Sequence, residues 1–249
     1  MANSRVEHLR DGLAELVLCR PPVNALTPAF LDELEAQVDE LTSDPGVRAV
    51  LIRSDGGALS AGMDLKAAQA FEREEEEHAA RAFTTTFRKL YALPKPVVCA
   101  VAGPAIAGGF FFVLAADIRL ATPAASFGLA EIRVGATLPV GPLEIARAEL
   151  RASVFRRLLL TGLPVDAEVA RAAGIVDLIV HDRQLLDTAR TQALRLAEVL
   201  PEAYARTKAD MRRPALQAID AAIAAGAHDA GKGWFLQGTR EAMKAMLRD

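Results

Sequence analysis

The glycine pair Gly108-Gly109 begins an apolar segment that predicts a buried helix over residues 108–116. An apolar strand-like run at Val97–Val101 precedes it. At the start of a helix the backbone N–H groups have no partner within the helix, and they lie at the positive end of its dipole. Glycine has no Cβ, so a ligand oxygen can approach these groups closely. The segment is therefore suited to stabilise a negative charge that develops during a reaction.

A second segment of this kind covers residues 60–66, with the sequence Ser-Ala-Gly-Met-Asp-Leu-Lys. It follows a glycine-rich loop and precedes a predicted helix, so N–H groups around Met63 are expected to converge on an anion. An ordinary loop with Asp64 at a helix start explains the same residues. Ser60 also resembles a relaxed serine-hydrolase elbow, but that motif needs a sharp turn directly after a strand, and residues 54–57 intervene.

Glu131 is a carboxylate within the largely apolar stretch of residues 127–135. Burial in such surroundings raises the pKa of a carboxyl group and suits a general base. A loop glutamate paired with Arg133 or Arg119 is the alternative interpretation. Spacing alone does not choose between them.

Other site chemistries fit the sequence poorly. Gly103 and Gly108 have nearly the spacing of a phosphate-binding loop, but Phe110 follows, with no lysine or hydroxyl residue where phosphate and magnesium need them. The 4 histidines are scattered without ligand spacing, so no metal site is predicted.

The elements that must position these groups alternate between strand and helix. Strands are predicted at residues 13–18, 47–52, 97–101, 118–121 and 175–180. Helices are predicted at residues 30–41, 65–90 and 108–116, and over most of the chain after Pro139. Thr27 and Pro28 are typical of the N-cap and first residue of the first helix. Residues 185–247 predict three helices, separated near Pro201 and Pro214.

Composition limits the class of protein. The 249 residues carry a net charge of −3, 51% are hydrophobic and 24% are charged, which is typical of a soluble globular protein. No large basic patch is visible, so nucleic acid is not an expected partner. No apolar run reaches membrane-spanning length and no signal peptide is evident, so we expect no membrane association and a cytoplasmic location. The two cysteines, Cys19 and Cys99, are expected to be buried thiols.

The segments taken together resemble the crotonase (enoyl-CoA hydratase/isomerase) superfamily. Residues 20–26 resemble its first substrate-contact loop, residues 59–66 its first oxyanion segment, and residues 101–109 its second. Residues 157–162 and 167–177 resemble its helical tail region. Each motif alone is weak, but they occur in the right order and at the right separations over most of the chain.

The resemblance implies an α/β fold, a crotonase-like spiral of repeated strand-strand-helix turns with a helical C-terminal region. On this basis we expect a spiral core domain over residues 1–195 and a C-terminal helical trimerisation region over residues 196–249. The expected assembly is a homotrimer or homohexamer. The expected substrate is an acyl-CoA thioester, with coenzyme A as part of the substrate and no additional cofactor or metal.

The resemblance also assigns site residues. The family's oxyanion donors fall on the N–H groups of Met63 and Gly108, and one of the two catalytic glutamates of hydratases falls on Glu131. The family's contacts to the CoA portion, made largely through main-chain atoms, fall on Ala25, Ala61, Asp64, Leu65 and Lys66. Lys66 is equally well explained as a solvent-facing helix residue.

The chain departs from the hydratase pattern at position 111, where the other catalytic glutamate is replaced by Phe111. Phenylalanine can neither accept a proton nor orient water. One carboxylate and an oxyanion hole favour an isomerase that moves a 3-ene to a 2-ene with Glu131 as proton shuttle. An enoyl-CoA hydratase, or another lyase of the superfamily, is the alternative. A catalytically weak CoA- or protein-binding member is a third, against which Glu131 argues.

Overall fold

The computed structural model describes residues 2–227, 236 and 238–248. Within them the strands are β1 (Ser4–His8), β2 (Leu13–Leu18), β3 (Ala49–Ser54), β4 (Val97–Val101), β5 (Pro104–Ile106), β6 (Ile118–Ala121), β7 (Ser126–Gly128), β8 (Val165–Asp166) and β9 (Leu178–Ile179). The α-helices are α1 (Pro28–Ser43), α2 (Leu65–Ala68), α3 (Arg73–Ala92), α4 (Phe110–Leu114), α5 (Val140–Glu149), α6 (Ala152–Thr161), α7 (Ala167–Ala172), α8 (Asp182–Ala197), α9 (Pro201–Ala224) and α10 (Thr239–Met246). Short 3₁₀ turns cover Arg10–Gly12, Ala107–Gly109 and Glu131–Val134.

The strands form two sheets. The first is six-stranded in the order β1-β2-β3-β4-β6-β9, and it is parallel except for the β1–β2 pair. The second is three-stranded in the order β5-β7-β8. The first sheet is buried on both faces: Val50 and Ile52 of β3 face the main core, whereas Ala49 and Leu51 face α8. This two-sided burial explains why the parallel strands are continuous apolar runs in the sequence.

Successive turns of the chain repeat one pattern. A strand in the first sheet is followed by a short extended segment in the second layer and then by a helix, as in β4, β5 and α4 or β6, β7 and α5. In the earlier turns the second-layer segments form isolated parallel bridges, Leu26 with Met63 and Ser60 with Ala105. The predicted α/β spiral of strand-strand-helix turns is therefore confirmed.

Two predicted helical boundaries are wrong. The single helix expected over residues 65–90 is two helices, because Glu72 and Glu75 form a capping box that starts α3 afresh. The break expected near Pro214 does not occur. Pro214 lies inside α9, and the buried side chains of Lys208 and Ile219, on either side of it, keep the helix on the core. Pro201 does begin α9, as predicted.

The C-terminal helices pack on the core through a buried polar cluster. Asp117 accepts hydrogen bonds from Lys208 Nζ at 2.7 Å and Arg212 Nη2 at 2.8 Å. Desolvation lowers the pKa of Lys208 to about 8. Helix α8 runs across residue 195, the predicted division between core and C-terminal region, and residues 228–235, 237 and 249 of that region lie outside the described residues. The two-part division stays a prediction.

Two simpler expectations have separate outcomes. Cys99 is a buried thiol, as predicted, whereas Cys19 is half-buried. Across the described residues, no helix combines the length and apolar character needed to span a bilayer. The cytoplasmic location stays a prediction.

Candidate active site

A central cleft opens where the second-layer segments of consecutive turns end. Its empty space, including the open mouth, is about 690 Å³. Its wall includes Met63, Gly108, Phe111, Glu131 and Met243. The structure thus brings together Met63, Gly108 and Glu131, the three residues predicted to be catalytic.

The direction of the Met63 N–H follows from the hydrogen bonds of its neighbours. Leu26 N–H donates to Gly62 O at 2.7 Å, and Asp64 N–H donates to Leu26 O at 2.8 Å. In such a parallel bridge residues 62 and 64 pair with Leu26, so the N–H of Met63 points to the opposite side. Among the described residues this N–H has no hydrogen-bond acceptor. It is available to a ligand in the cleft.

Gly108 is the middle residue of the 3₁₀ turn that leads into α4. Its N–H belongs to the start of this helical segment, where backbone donors lack intrahelical partners. A Cβ on Gly108 would lie 2.5 Å from a ring carbon of Phe83, so no larger residue fits here. The preceding Ala107 has φ of 51°, a strained conformation for a residue with a side chain. Strain of this kind is common at functional sites.

Glu131 begins the 3₁₀ turn that follows β7, and it is 8% exposed. Its Oε2 atom is buried and has no hydrogen-bond partner among the described residues. Burial raises the pKa of Glu131 to about 7, and the hydrogen bond from its own backbone N–H offsets this only in part. A carboxyl group with this pKa can both accept and return a proton near neutral pH.

The alternative role for Glu131 as half of an ion pair does not fit the structure. Arg119 is bound by Glu149 through its Nη2 atom and by the carbonyl oxygens of Leu114 and Ala116. No ion pair joins Arg133 to Glu131 within the described part of the chain. As far as the described residues go, the carboxyl group is therefore held in an apolar wall without a compensating cation.

Phe111 is fully buried and contributes to the cleft wall. Its ring packs against Phe87 with centroids 5.6 Å apart. The position at which the resemblance to hydratases leads us to expect a second glutamate is thus occupied by hydrocarbon. Among the described residues that line the cleft, Glu131 is the only ionisable side chain.

The residues expected to contact the CoA portion are distributed between wall and rim. Ala61 and Leu65 line the cleft. Ala25, Asp64 and Lys66 lie outside the wall; Ala25 O accepts from Arg20, and Lys66 is exposed on α2, as its alternative interpretation expected. Their role in CoA binding stays a prediction.

Asp64 has a structural task at the rim. It caps α2 by accepting from the N–H groups of Lys66 and Ala67, and it binds Arg20 Nη2 at 2.8 Å. Burial alone raises the pKa of Asp64, but the Arg20 side chain and the backbone donors outweigh it and hold the pKa below its usual value.

Ser60 and Asn24 support the loop that carries Met63. Ser60 is fully buried; its Oγ donates to Asn24 O at 2.8 Å and accepts from Gly62 N–H. These bonds commit the Ser60 hydroxyl to structure, so the serine-hydrolase interpretation does not fit. Asn24, missed by sequence reasoning, is buried and donates through Nδ2 to the Leu59 carbonyl at 3.0 Å. Its place two residues after the Pro21-Pro22 pair was its only local signal.

Metal chemistry has no support in the described part of the chain, where no group of three or more His, Cys, Asp or Glu side chains is arranged for a metal ion.

Sequence reasoning also missed Phe83, Leu138 and Met243 in the cleft wall. Met243 comes from α10, far along the chain, and only its place in an amphipathic helix distinguished it.

Comparison with known proteins agrees with this geometry. A family model described as enoyl-CoA hydratase/isomerase matches residues 8–232. The probable enoyl-CoA hydratase EchA17 of Mycobacterium tuberculosis is 35% identical over 200 residues, 80% of this chain and 76% of the relative. Carnitinyl-CoA dehydratase of Proteus mirabilis is 32% identical over 200 residues, covering the same 80% and 76% shares of the two chains.

Solved structures extend the similarity to three dimensions. One structure of EchA3 from Mycobacterium tuberculosis, described as a probable enoyl-CoA hydratase, has a TM-score of 0.83 at 32% identity, covering 90% of this chain and 95% of the other. Another structure of the same gene product is described as an enoyl-CoA isomerase; it has a TM-score of 0.82 at 31% identity, covering 90% and 98%.

Proposed function

Because this chain belongs to the enoyl-CoA hydratase/isomerase family, we propose that it is an enoyl-CoA isomerase that converts 3-enoyl-CoA into 2-enoyl-CoA thioesters. Coenzyme A is part of the substrate, and no further cofactor enters the reaction. The observation that carries the proposal is the cleft wall, where the described residues include one carboxylate, Glu131, and place the hydrocarbon ring of Phe111 at the expected second glutamate position.

In the proposed reaction the Glu131 carboxylate removes a proton from C2 of the 3-enoyl thioester. The electron pair of the C–H bond moves into the C2–C1 bond, and negative charge develops on the thioester oxygen. The same carboxyl group then delivers its proton to C4. The double bond now joins C2 and C3, and the carboxylate is regenerated. One group suffices because the proton leaves and returns on the same face of the substrate.

The N–H groups of Met63 and Gly108 hold the thioester oxygen in this proposal. Both are backbone donors, so they need no rearrangement when the charge forms. A donor of this kind contributes roughly 3 to 4 kcal/mol of transition-state stabilisation in other enzymes. The apolar wall strengthens the interaction, since Coulomb energy rises as the surroundings become less polar.

The similarity to EchA3, which one solved structure describes as an isomerase, supports the proposal. The names of EchA17 and of the other EchA3 structure favour the second candidate, an enoyl-CoA hydratase. A hydratase must position and activate water, and among the described residues of this cleft Glu131 would have to do so without a second acid. We therefore rank isomerisation first.

The two candidates are separated by a substrate panel. The purified protein is assayed with 3-enoyl-CoA, with crotonyl-CoA and with 3-hydroxyacyl-CoA, and products are resolved by liquid chromatography. Isomerase function predicts turnover of 3-enoyl-CoA at a rate far above hydration of crotonyl-CoA. Hydration of crotonyl-CoA at a comparable or higher rate would assign the protein to the hydratases. Binding of acyl-CoA without turnover of any substrate would favour the CoA-binding alternative.

We also propose a homotrimeric or homohexameric assembly. Exposed apolar side chains in the Glu131 turn and at the end of α6 support self-association: Ile132, Leu160 and Leu163 are 46%, 64% and 51% exposed. Burial of such side chains is favourable by roughly 25 cal/mol per Å². Light scattering coupled to gel filtration tests this, with Leu160→Arg expected to lower the mass. A monomeric native protein would overturn it.

A further inference from the structure

Helix α10 contributes to the cleft wall, and its first two residues attach it to the rest of the protein. Thr239 Oγ1 donates to the Gly135 carbonyl, just after the turn that carries Glu131. Arg240 Nη2 donates to Phe71 O and to Glu76 Oε1 at 3.0 Å, near the start of α3. These bonds fix where the helix begins relative to the Glu131 turn and to α3.

The inner face of α10 contributes methionines at two depths. Met243 is 1% exposed and lines the cleft, whereas Met246, one turn later on the same face, is 38% exposed and lies at its mouth. The wall near Met243 is completed by apolar residues, among them Leu138 and Pro142. The described residues offer no polar side chain there to a hydrophilic ligand, so this end of the cleft suits a hydrocarbon chain.

We propose that Met243 closes the inner end of the acyl channel and sets the longest acyl chain that the site accepts. The inference rests on the proposed function for the direction of the substrate. With the thioester oxygen at Met63 and Gly108 and the reacting carbons at Glu131, the chain beyond C4 extends along the apolar wall to α10. Its terminal carbons then meet the buried Met243 side chain, which limits further extension.

The test measures binding of saturated acyl-CoAs from butanoyl- to dodecanoyl-CoA by isothermal titration calorimetry. Met243→Ala is expected to tighten binding of the longest chains relative to the shortest by about tenfold, the gain from roughly two further buried methylene groups. Met243→Leu conserves the side-chain volume, so the ratio of the affinities for the longest and shortest chains should stay within about twofold of the wild-type ratio. Leu247→Ala, an exposed change directly after α10 and outside the wall, is the matched control.

A second variant acts in the opposite direction. Met243→Phe should weaken the binding of the longest acyl-CoAs and leave the affinity for butanoyl-CoA unchanged. The proposal therefore stays testable if circular dichroism shows that Met243→Ala does not fold. The proposal would be overturned by an equal change in affinity for all chain lengths, or by an unchanged ratio of long-chain to short-chain affinity in every folded variant. Because saturated thioesters cannot isomerise, a missing isomerase activity would refute the proposed function while the chain-length result still decides the role of Met243.

Discussion

Gly62 lies against the backbone nitrogen of Gly108: a Cβ atom on Gly62 would be 2.9 Å from that nitrogen and 2.7 Å from the Cβ of Ala107. Gly62 also has φ of +83°, a conformation that side chains disfavour. The N–H of Met63 follows directly in the chain. The separation of the two proposed oxyanion donors therefore depends on the absence of a side chain at position 62.

Gly62→Ala is expected to lower kcat/KM for 3-enoyl-CoA by about 10- to 100-fold, since it forces Ala107 and Gly108 away from Met63 and misplaces a donor. Steady-state kinetics measure the effect. Gly57→Ala is the control, because a Cβ there would have no neighbour within 4 Å and that variant should keep wild-type activity. Activity of Gly62→Ala within about twofold of wild type would contradict a donor role for this junction.

The activity should depend on pH through Glu131. The base must be ionised, and its pKa is raised to about 7, so kcat/KM should rise through pH 7 and level off above it. Glu131→Gln should lower turnover by about 10²- to 10⁴-fold and leave binding of a saturated acyl-CoA nearly unchanged. A pH profile for the wild type that is flat between pH 5 and 9, or turnover by the glutamine variant at the wild-type rate, would exclude the shuttle.

The same carboxyl group should destabilise the folded protein at alkaline pH. The ordinary pKa of a glutamate carboxyl group is 4.5, and the pKa of Glu131 in the folded protein is about 7. As the pH rises, this carboxyl group therefore loses its proton in the unfolded chain before it does so in the folded protein. The free energy of unfolding therefore decreases as the pH rises from 4.5 to 7. Above pH 7 the folded protein is less stable by the full amount, roughly 3 kcal/mol. Glu131→Gln should thus be more stable than wild type at pH 8 and similar to it at pH 4.

Urea unfolding at both pH values measures this difference. Glu198→Gln, at an exposed position, controls for the general effect of removing a negative charge. Equal stability of Glu131→Gln and wild type at pH 8 would mean that the carboxyl group is better solvated than its buried position implies.

Phe111→Glu should introduce hydration of crotonyl-CoA, because it places a second acid in the cleft wall that contains Glu131. The variant should also be less stable by about 3 to 5 kcal/mol, since it removes the contact with Phe87 and buries a polar group. Phe111→Gln matches the size of the new side chain without its acidity and should not hydrate. If both folded variants lack hydratase activity, position 111 alone does not decide the reaction type.

Asp117→Asn should destabilise the attachment of α9 by about 3 to 5 kcal/mol, because Lys208 and Arg212 remain as buried cations without their counter-ion. Chemical denaturation measures the loss. Arg213→Gln breaks an exposed ion pair with Asp210 on the same helix and should change stability by no more than about 0.5 kcal/mol. Similar effects of the two substitutions would contradict the importance of the buried cluster.

The parts of the fold with strong local signals were predictable. Thr27 does cap α1, accepting from Phe30 N–H at 3.2 Å, and the apolar run of β4 is a buried central strand. The second-layer strands β5 and β7 have three residues each, too few to display a periodicity of two. A second strand in each turn was expected from the resemblance to the crotonase superfamily and not from the hydrophobic pattern of these residues.

The site was predictable in its main-chain part and not in its surroundings. Met63 and Gly108 stand at glycine-containing turns that are visible in the sequence, although the bridge to Leu26 sets the direction of the Met63 N–H. Whether Glu131 is paired depended on where Arg119 lies, and that is set by the partner of Arg119, Glu149, through tertiary packing. Met243 reaches the cleft only because α10 packs against the turn that carries Glu131, a relationship for which the linear sequence carries no signal.

The hydrogen bonds around Met63 have an evolutionary consequence. The proposed charge-stabilising groups are amides of the polypeptide itself, supported by Leu26, Asn24 and Ser60. Substitution of the side chains at positions 111 and 131 leaves those amides in place. Natural variation at these two positions can therefore change which protons move, and to which carbon, while the ability to stabilise an enolate is inherited intact.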